Sequence, residues 1–219
     1  MCGRYTLHTN RQQLAEAIAL ALPEEYAPDY NIGPGREALS LANRDRSEPI
    51  ASMMHWGLRT PQNLTINARI ETADTKPRFR ESWHAHRCLL PANGFYEWYK
   101  DGITKQPYYI YPESNTPVFF AGLWFPSADG ERVPAFVILT MEAQSSIKAI
   151  HDRMPVILKP EARTDWLSGQ LDKRAVQALG SRIRLDKHAV SRRVNSVRNK
   201  DSRLIEATSP PSDDQLRLF

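Results

Sequence analysis

The sequence predicts an α+β domain, a single unit with a mainly antiparallel, barrel-like β core and flanking helices. Three observations lead there. Short apolar or alternating runs bounded by turn residues outnumber the stretches with helical periodicity. Hydrophobic residues make up 41% and aromatics 9%, with five tryptophans, which excludes a wholly disordered chain. A length of 219 residues is enough for one good core and too short for several domains.

The elements follow in order. Asn10 and Gln13 are spaced as in a capping box, and Leu14, Ile18, Ala21 and Leu22 recur at helical spacing up to Pro23, so an early helix is expected there. From residue 26 to residue 35, Pro28, Pro34 and two glycines predict an ordered, turn-rich loop. Strands are expected over 38–41, 50–56, 87–90, 95–99, 108–111, 118–125, 133–140 and 156–158. The Asp101-Gly102 step marks a hairpin turn. Helical patterns return near 76–83, 161–167 and 173–179. The domain is expected to run from residue 1 to 203. Residues 204–219, with their prolines, serines and aspartates, are expected to form a flexible tail.

Composition narrows the function. Two cysteines, Cys2 and Cys88, are too few for a disulfide scaffold and lack zinc-site spacing. No metal or organic cofactor is expected, and a reducing cytoplasm fits. No apolar run reaches the roughly 20 residues of a membrane span, and MCGRYTLHTN holds no secretory h-region. The net charge of +4 is uneven, because residues 181–203 carry eight bases against two acids. That segment suits a phosphate-binding surface, or else forms a solvated basic face.

Cys2 has chemistry of its own. Removal of Met1 would leave an α-amine with a reference pKa of about 7.7–8 beside a thiol of about 8.5. Such a 1,2-aminothiol condenses with an aldehyde to an iminium, and the thiol then closes a thiazolidine ring. Keeping both nucleophiles in one residue makes the second attack intramolecular, an advantage of about 7–11 kcal/mol in well-aligned cases. A lone thiolate with its amine as base would instead serve amide hydrolysis. Cys88, in RCLLP, reads as a small buried hydrophobe.

Four further stretches accompany MCGR at 1–4: YNIGPG at 30–35, NARIET at 67–72, GFYEW at 94–98 and HDRMP at 151–155. Together they resemble the SRAP family (SOS response associated peptidase), whose members link covalently to abasic sites in single-stranded DNA. The resemblance runs from Met1 to about Asn199. It implies that Cys2 captures the ring-opened aldehyde, with Asn67 orienting the reacting groups and Glu97 and His151 as catalytic residues. A histidine is suited to protonating the sugar ring oxygen. A carboxylate between Tyr96 and Trp98 is suited to proton shuttling with a raised pKa.

For DNA the resemblance implies contacts from Arg69 and Arg153 to phosphates around the lesion, with Arg4 in the same channel. It also places Pro34, Trp56 and, more weakly, Thr140 along the DNA path. Many members carry further tryptophans, wedged against duplex, after the Trp-Gly step; here WGLRTPQNLTINAR is shorter and has none.

The function expected is therefore a DNA repair protein forming a thiazolidine crosslink with abasic sites in single-stranded DNA, with lyase activity and removal of its own Met1 as further activities. It would be cytoplasmic and associated with the nucleoid. The alternatives are an N-terminal cysteine peptidase and a noncatalytic single-strand-binding module. Finally, QLRLF at the C-terminus resembles the peptides by which bacterial repair proteins dock onto the DNA sliding clamp, with Gln215, Leu216, Leu218 and Phe219 as anchors.

Overall fold

The computed structural model of the chain describes residues 2–43, 48–59, 63–102, 104–114, 116–127 and 133–208. In chain order the elements are β1 (Tyr5–Leu7), α1 (Arg11–Ile18), β2 (Asp29–Ile32), β3 (Glu37–Ala42), β4 (Ile50–Trp56), β5 (Leu58–Arg59), β6 (Leu64–Thr65) and β7 (Asn67–Arg69). Next come α2 (Ile70–Ala73), α3 (Pro77–Ala85), β8 (Arg87–Ala92), β9 (Gly94–Asp101), β10 (Thr104–Pro112), β11 (Val118–Phe125) and β12 (Ala135–Glu142). The chain continues with α4 (Ser145–Lys148), β13 (Arg153–Pro155), β14 (Ile157–Leu158), α5 (Arg163–Leu167), α6 (Lys173–Gly180) and β15 (Leu185–Ala189). Short 3-10 turns follow at Arg192–Asn195 and Ser202–Ile205.

The apolar runs become the barrel. β12 pairs with β4, β4 with β3, β3 with β8, β8 with β11, and β11 again with β12, which closes a ring of five strands. Only the β4–β12 contact in that ring is parallel. Every residue of β8 is buried, and so are all but one of β11, because one face fills the ring and the other is covered by helices such as α3 and α5. A second, antiparallel sheet, ordered β15-β10-β9-β1-β2, stands beside the ring.

Two strands place the site. β12 leaves β11 after Ile138, and its far half is flanked by β7 on one side and β13 on the other. Thr140 thus lies opposite Arg69 across one ladder and Pro155 across the other. β9 joins β1 through Tyr5↔Phe95 and Thr6↔Gly94, which sets Glu97 near the start of the chain. Gly94 is required at that crossing, since a Cβ there would lie 2.6 Å from both the Ile110 carbonyl and the Tyr109 hydroxyl.

All eight expected strands are present with ends moved by a few residues, and the hairpin is closed at Gly102, whose φ is +53°. Asn10 caps α1 by accepting from the Gln13 N–H at 2.9 Å. The helix stops at Ile18 and not at Leu22, because Ala19 turns left-handed at φ 56°. The turn-rich loop over 26–35 contains a strand, β2, held by β1. β1, β7, β13 and β15 are further strands that the sequence did not signal.

The domain also extends past residue 203. Leu204 is fully buried, the Ile205 carbonyl accepts from His188 Nε2 at 2.7 Å, and the Thr208 N–H donates to the Ala189 carbonyl at 2.8 Å. Residues 204–208 are therefore strapped to β15 and belong to the fold. The proposed clamp anchors 215–219 lie outside the described residues. Among the described residues, no helix is long and apolar enough to cross a membrane.

Candidate active site

Cys2 precedes β1 and its side chain is fully buried, with the thiol 3.9 Å from the Arg4 carbonyl. Burial pushes the thiol pKa up strongly, and the negative charge of Glu97 adds to the effect. The near-neutral thiol expected from the sequence is thus corrected: a dry site beside a carboxylate makes the thiolate scarce.

Asn67, the first residue of β7, donates its Nδ2 to the Cys2 carbonyl at 2.9 Å, which fixes the backbone that carries the thiol. Its Oδ1 is buried and has no hydrogen-bond partner among the described residues, leaving an acceptor available at the same place. Glu97 on β9 is only 3% exposed. Burial is the main cause that raises its carboxyl pKa, and the positive field of His151 pulls the other way.

His151 follows α4. Its Nδ1 accepts the Arg153 N–H at 2.9 Å and lies 3.0 Å from an Asp152 carboxylate oxygen. Glu97 and His151 line one pocket of about 470 Å³, together with Trp98, Lys100, Lys105 and Asn195. Four residues far apart in sequence are thereby gathered: a thiol, an amide bonded to the backbone that carries it, a carboxyl and an imidazole. Among the described residues no cluster of His, Cys, Asp and Glu is placed to hold a metal.

The DNA-contact candidates divide. Arg69 is exposed at the end of β7, and Pro34 is half-buried beside β2. Arg4 reaches across to the C-terminal segment, its Nη1 donating to Asn31 Oδ1 at 2.8 Å and to the Val194 carbonyl at 2.9 Å. Arg153 is engaged by the Glu71 carboxylate in a two-pronged contact at 2.7 and 2.9 Å and by the Thr140 carbonyl at 2.6 Å. Burial alone would raise the Glu71 carboxyl pKa, but hydrogen bonding and attraction to Arg153 hold it below the usual range.

Trp56 and Thr140 require correction. Trp56 is fully buried, donates Nε1 to the Ile66 carbonyl at 3.0 Å, and packs edge-on against Tyr5 at 5.2 Å. It is a core ring beneath the site and offers no face to a base. Thr140 is also fully buried, and its carbonyl positions Arg153.

Residues missed by the sequence reading include Asn31, whose side chain is wholly buried and whose Nδ2 faces the carbonyls of Val194, Ser196 and Asn199. Its place in YNIGPG, where polar residues sit among turn formers, was the available signal.

Compared with known proteins, residues 1–197 match the family model described as SOS response associated peptidase (SRAP). The chain belongs to the SRAP family. It is 34% identical to "Abasic site processing protein YedK" of Escherichia coli over 221 residues, covering 94% of this chain and 99% of that protein. "Abasic site processing protein YoqW" of Bacillus subtilis is 36% identical over 224 residues, with 94% and 100% covered. "Abasic site processing protein HMCES" of Xenopus tropicalis is 32% identical, over 80% of this chain and 65% of that protein. Among solved structures, a protein from Bacteroides thetaiotaomicron superposes with a TM-score of 0.78 at 22% identity, covering 95% of this chain and all of the other. The SRAP fold accounts for the ring of strands and for the match ending near Val197, where the segment held by Asn31 and Arg4 lies.

Proposed function

We propose that this SRAP protein binds single-stranded DNA and captures abasic sites as a thiazolidine through Cys2 once Met1 has been removed. The observation that carries the reading is the convergence of Cys2, Asn67, Glu97 and His151, with Asn67 bonded to the Cys2 carbonyl and Glu97 and His151 facing one pocket. The relatives' names, abasic site processing proteins, support the substrate class.

The steps balance as follows. His151, in its protonated form, gives a proton to the ring oxygen of the sugar as the bond from that oxygen to the anomeric carbon breaks, and the neutral ring then takes the proton that the anomeric hydroxyl loses in becoming the aldehyde. The Cys2 amine attacks the aldehyde carbon, and the carbinolamine hydroxyl leaves as water after taking a proton from Glu97, whose raised pKa keeps an acid available. The thiol then passes its proton to the Glu97 carboxylate as sulfur bonds to the iminium carbon and the C=N electron pair returns to nitrogen. One C–N and one C–S bond form, the C=O bond is lost, and one water departs. Because proton transfer accompanies attack, the buried thiol need not ionise beforehand.

A single-stranded oligonucleotide carrying one abasic site, incubated with the mature protein and run on a denaturing gel, tests the reading. A heat-stable shifted band absent from Cys2→Ala is expected. An equally stable adduct from Cys2→Ala would reject the thiazolidine. Peptide hydrolysis without any adduct would favour a cysteine peptidase.

A further inference from the structure

The far wall of the same pocket has features that the chemistry at Cys2 does not use. In the β9–β10 hairpin, Lys100 lies directly opposite Lys105, and Trp98 directly opposite Pro107. By the two-residue alternation of strands, all four share one face at the hairpin's end. Like charges directly opposite each other in a sheet are destabilising. Neither lysine forms an ion pair with a described residue. Trp98 is half-buried, and its plane is fixed by donation of Nε1 to Asn195 Oδ1 at 2.8 Å. A positive pair without an ion-pair partner among the described residues, beside an aromatic ring held in place, has the two chemistries that single-stranded nucleic acid needs.

We infer that Trp98, Lys100 and Lys105 form a subsite for the nucleotide adjoining the reacting sugar, the lysines sharing one phosphodiester and the Trp98 ring receiving the base. This rests on the proposed function for what enters the neighbouring part of the pocket. Asn195 acts as a positioning residue, because it holds the indole through Nε1 and is itself carried by the segment that Asn31 and Arg4 fasten down.

Full-length protein and a fluorescein-labelled single-stranded oligonucleotide containing a tetrahydrofuran residue, which cannot react, test the subsite by fluorescence anisotropy across potassium chloride concentrations. Neutralising one phosphate on a single strand contributes about 0.7 to the slope of log K against log salt. The double variant Lys100→Gln/Lys105→Gln is expected to bind more weakly and to lose about 0.7 of that slope. Trp98→Ala is expected to bind about tenfold more weakly with its slope unchanged, and Trp98→Phe, which keeps a stacking face, to recover most of the affinity. An unaltered slope in the lysine variant, or parental affinity in Trp98→Ala, overturns the inference. Thermal unfolding of each variant verifies that it is folded. Because the analogue forms no adduct, failure of the crosslinking assay would strike the proposed function while the anisotropy result judged the subsite alone.

Discussion

Replacing Asn31 with alanine removes the tie between the N-terminal strands and the segment over 194–199. Asn31 is fully buried; its Oδ1 accepts from Arg4 Nη1, and its Nδ2 lies 2.8 Å from the Asn199 carbonyl, 3.0 Å from that of Ser196 and 3.3 Å from that of Val194. The charged bond is worth about 1.5–3 kcal/mol and each neutral one about 1 kcal/mol. Two amide hydrogens serve three carbonyls, and Val194 keeps its Arg4 donor, so two neutral bonds are counted. Water entering the vacated space recovers part of the sum, leaving a loss of about 3 kcal/mol. For a chain of this size that lowers Tm by about 6–12 °C. Asn31→Asp should be worse, because a carboxylate oxygen would then face carbonyl oxygens. Calorimetry or circular dichroism melts measure both variants, and hydrogen exchange shows whether 194–199 opens first. A loss under 1 kcal/mol for alanine, or an aspartate variant more stable than the alanine one, would refute the reasoning.

Other consequences are equally direct. Trp56→Phe should cost about 1–2 kcal/mol through the lost indole bond to the Ile66 carbonyl, which keeps only its Ile138 N–H donor, and through the smaller buried ring, while leaving single-strand affinity unchanged; weaker binding at unaltered Tm would restore Trp56 to the DNA path. Arg87 is buried between Trp83 and Trp166, with its guanidinium carbon 4.8 and 4.4 Å from the ring centroids, and donates to the Trp83, Trp166 and Leu171 carbonyls. Lysine cannot reproduce that planar fork, so Arg87→Lys should lose about 2–3 kcal/mol in denaturant titrations; a loss below 1 kcal/mol would contradict the sandwich. Glu97 has a raised folded pKa, so its neutral form favours the fold fully below the unfolded value near 4.5, and that advantage disappears as pH rises through the folded pKa. Glu97→Gln should therefore gain Tm relative to the parent as pH climbs from 4.5 and then level off; a difference independent of pH would exclude a raised pKa.

The parts of the fold that could be read in the sequence are those whose cause is local. β11 and β8 are uninterrupted apolar runs because both faces are covered, and α1 begins where an Asn can cap a Gln three residues on. β2 was hidden among prolines and glycines, since only its partner β1, on the far side of α1, makes it a strand. The motifs located Cys2, Asn67, Glu97 and His151 by position, but position says nothing about exposure. That is why Trp56 and Thr140 were assigned to a surface when both are enclosed, and why the Cys2 thiol was taken at its free value. The Asn31 tie spans 163 to 168 residues, a distance at which no spacing rule operates.

The pairing along β12 has a consequence for how such proteins diversify. β4 and β7 occupy successive stretches of the same side of β12, and the chain between them departs and returns at fixed posts: the Gly57 N–H on the Phe136 carbonyl, and the Ile66 carbonyl on the Ile138 N–H. Trp56 bolts the two posts together through its indole bond to Ile66. Each doubling of a flexible loop's length costs only about 0.6 kcal/mol in closure entropy, so segments of different size can be exchanged between the posts without shifting either ladder. The barrel works there as a socket, in which the segment between the posts can be replaced while the residues gathered around Cys2 stay in register.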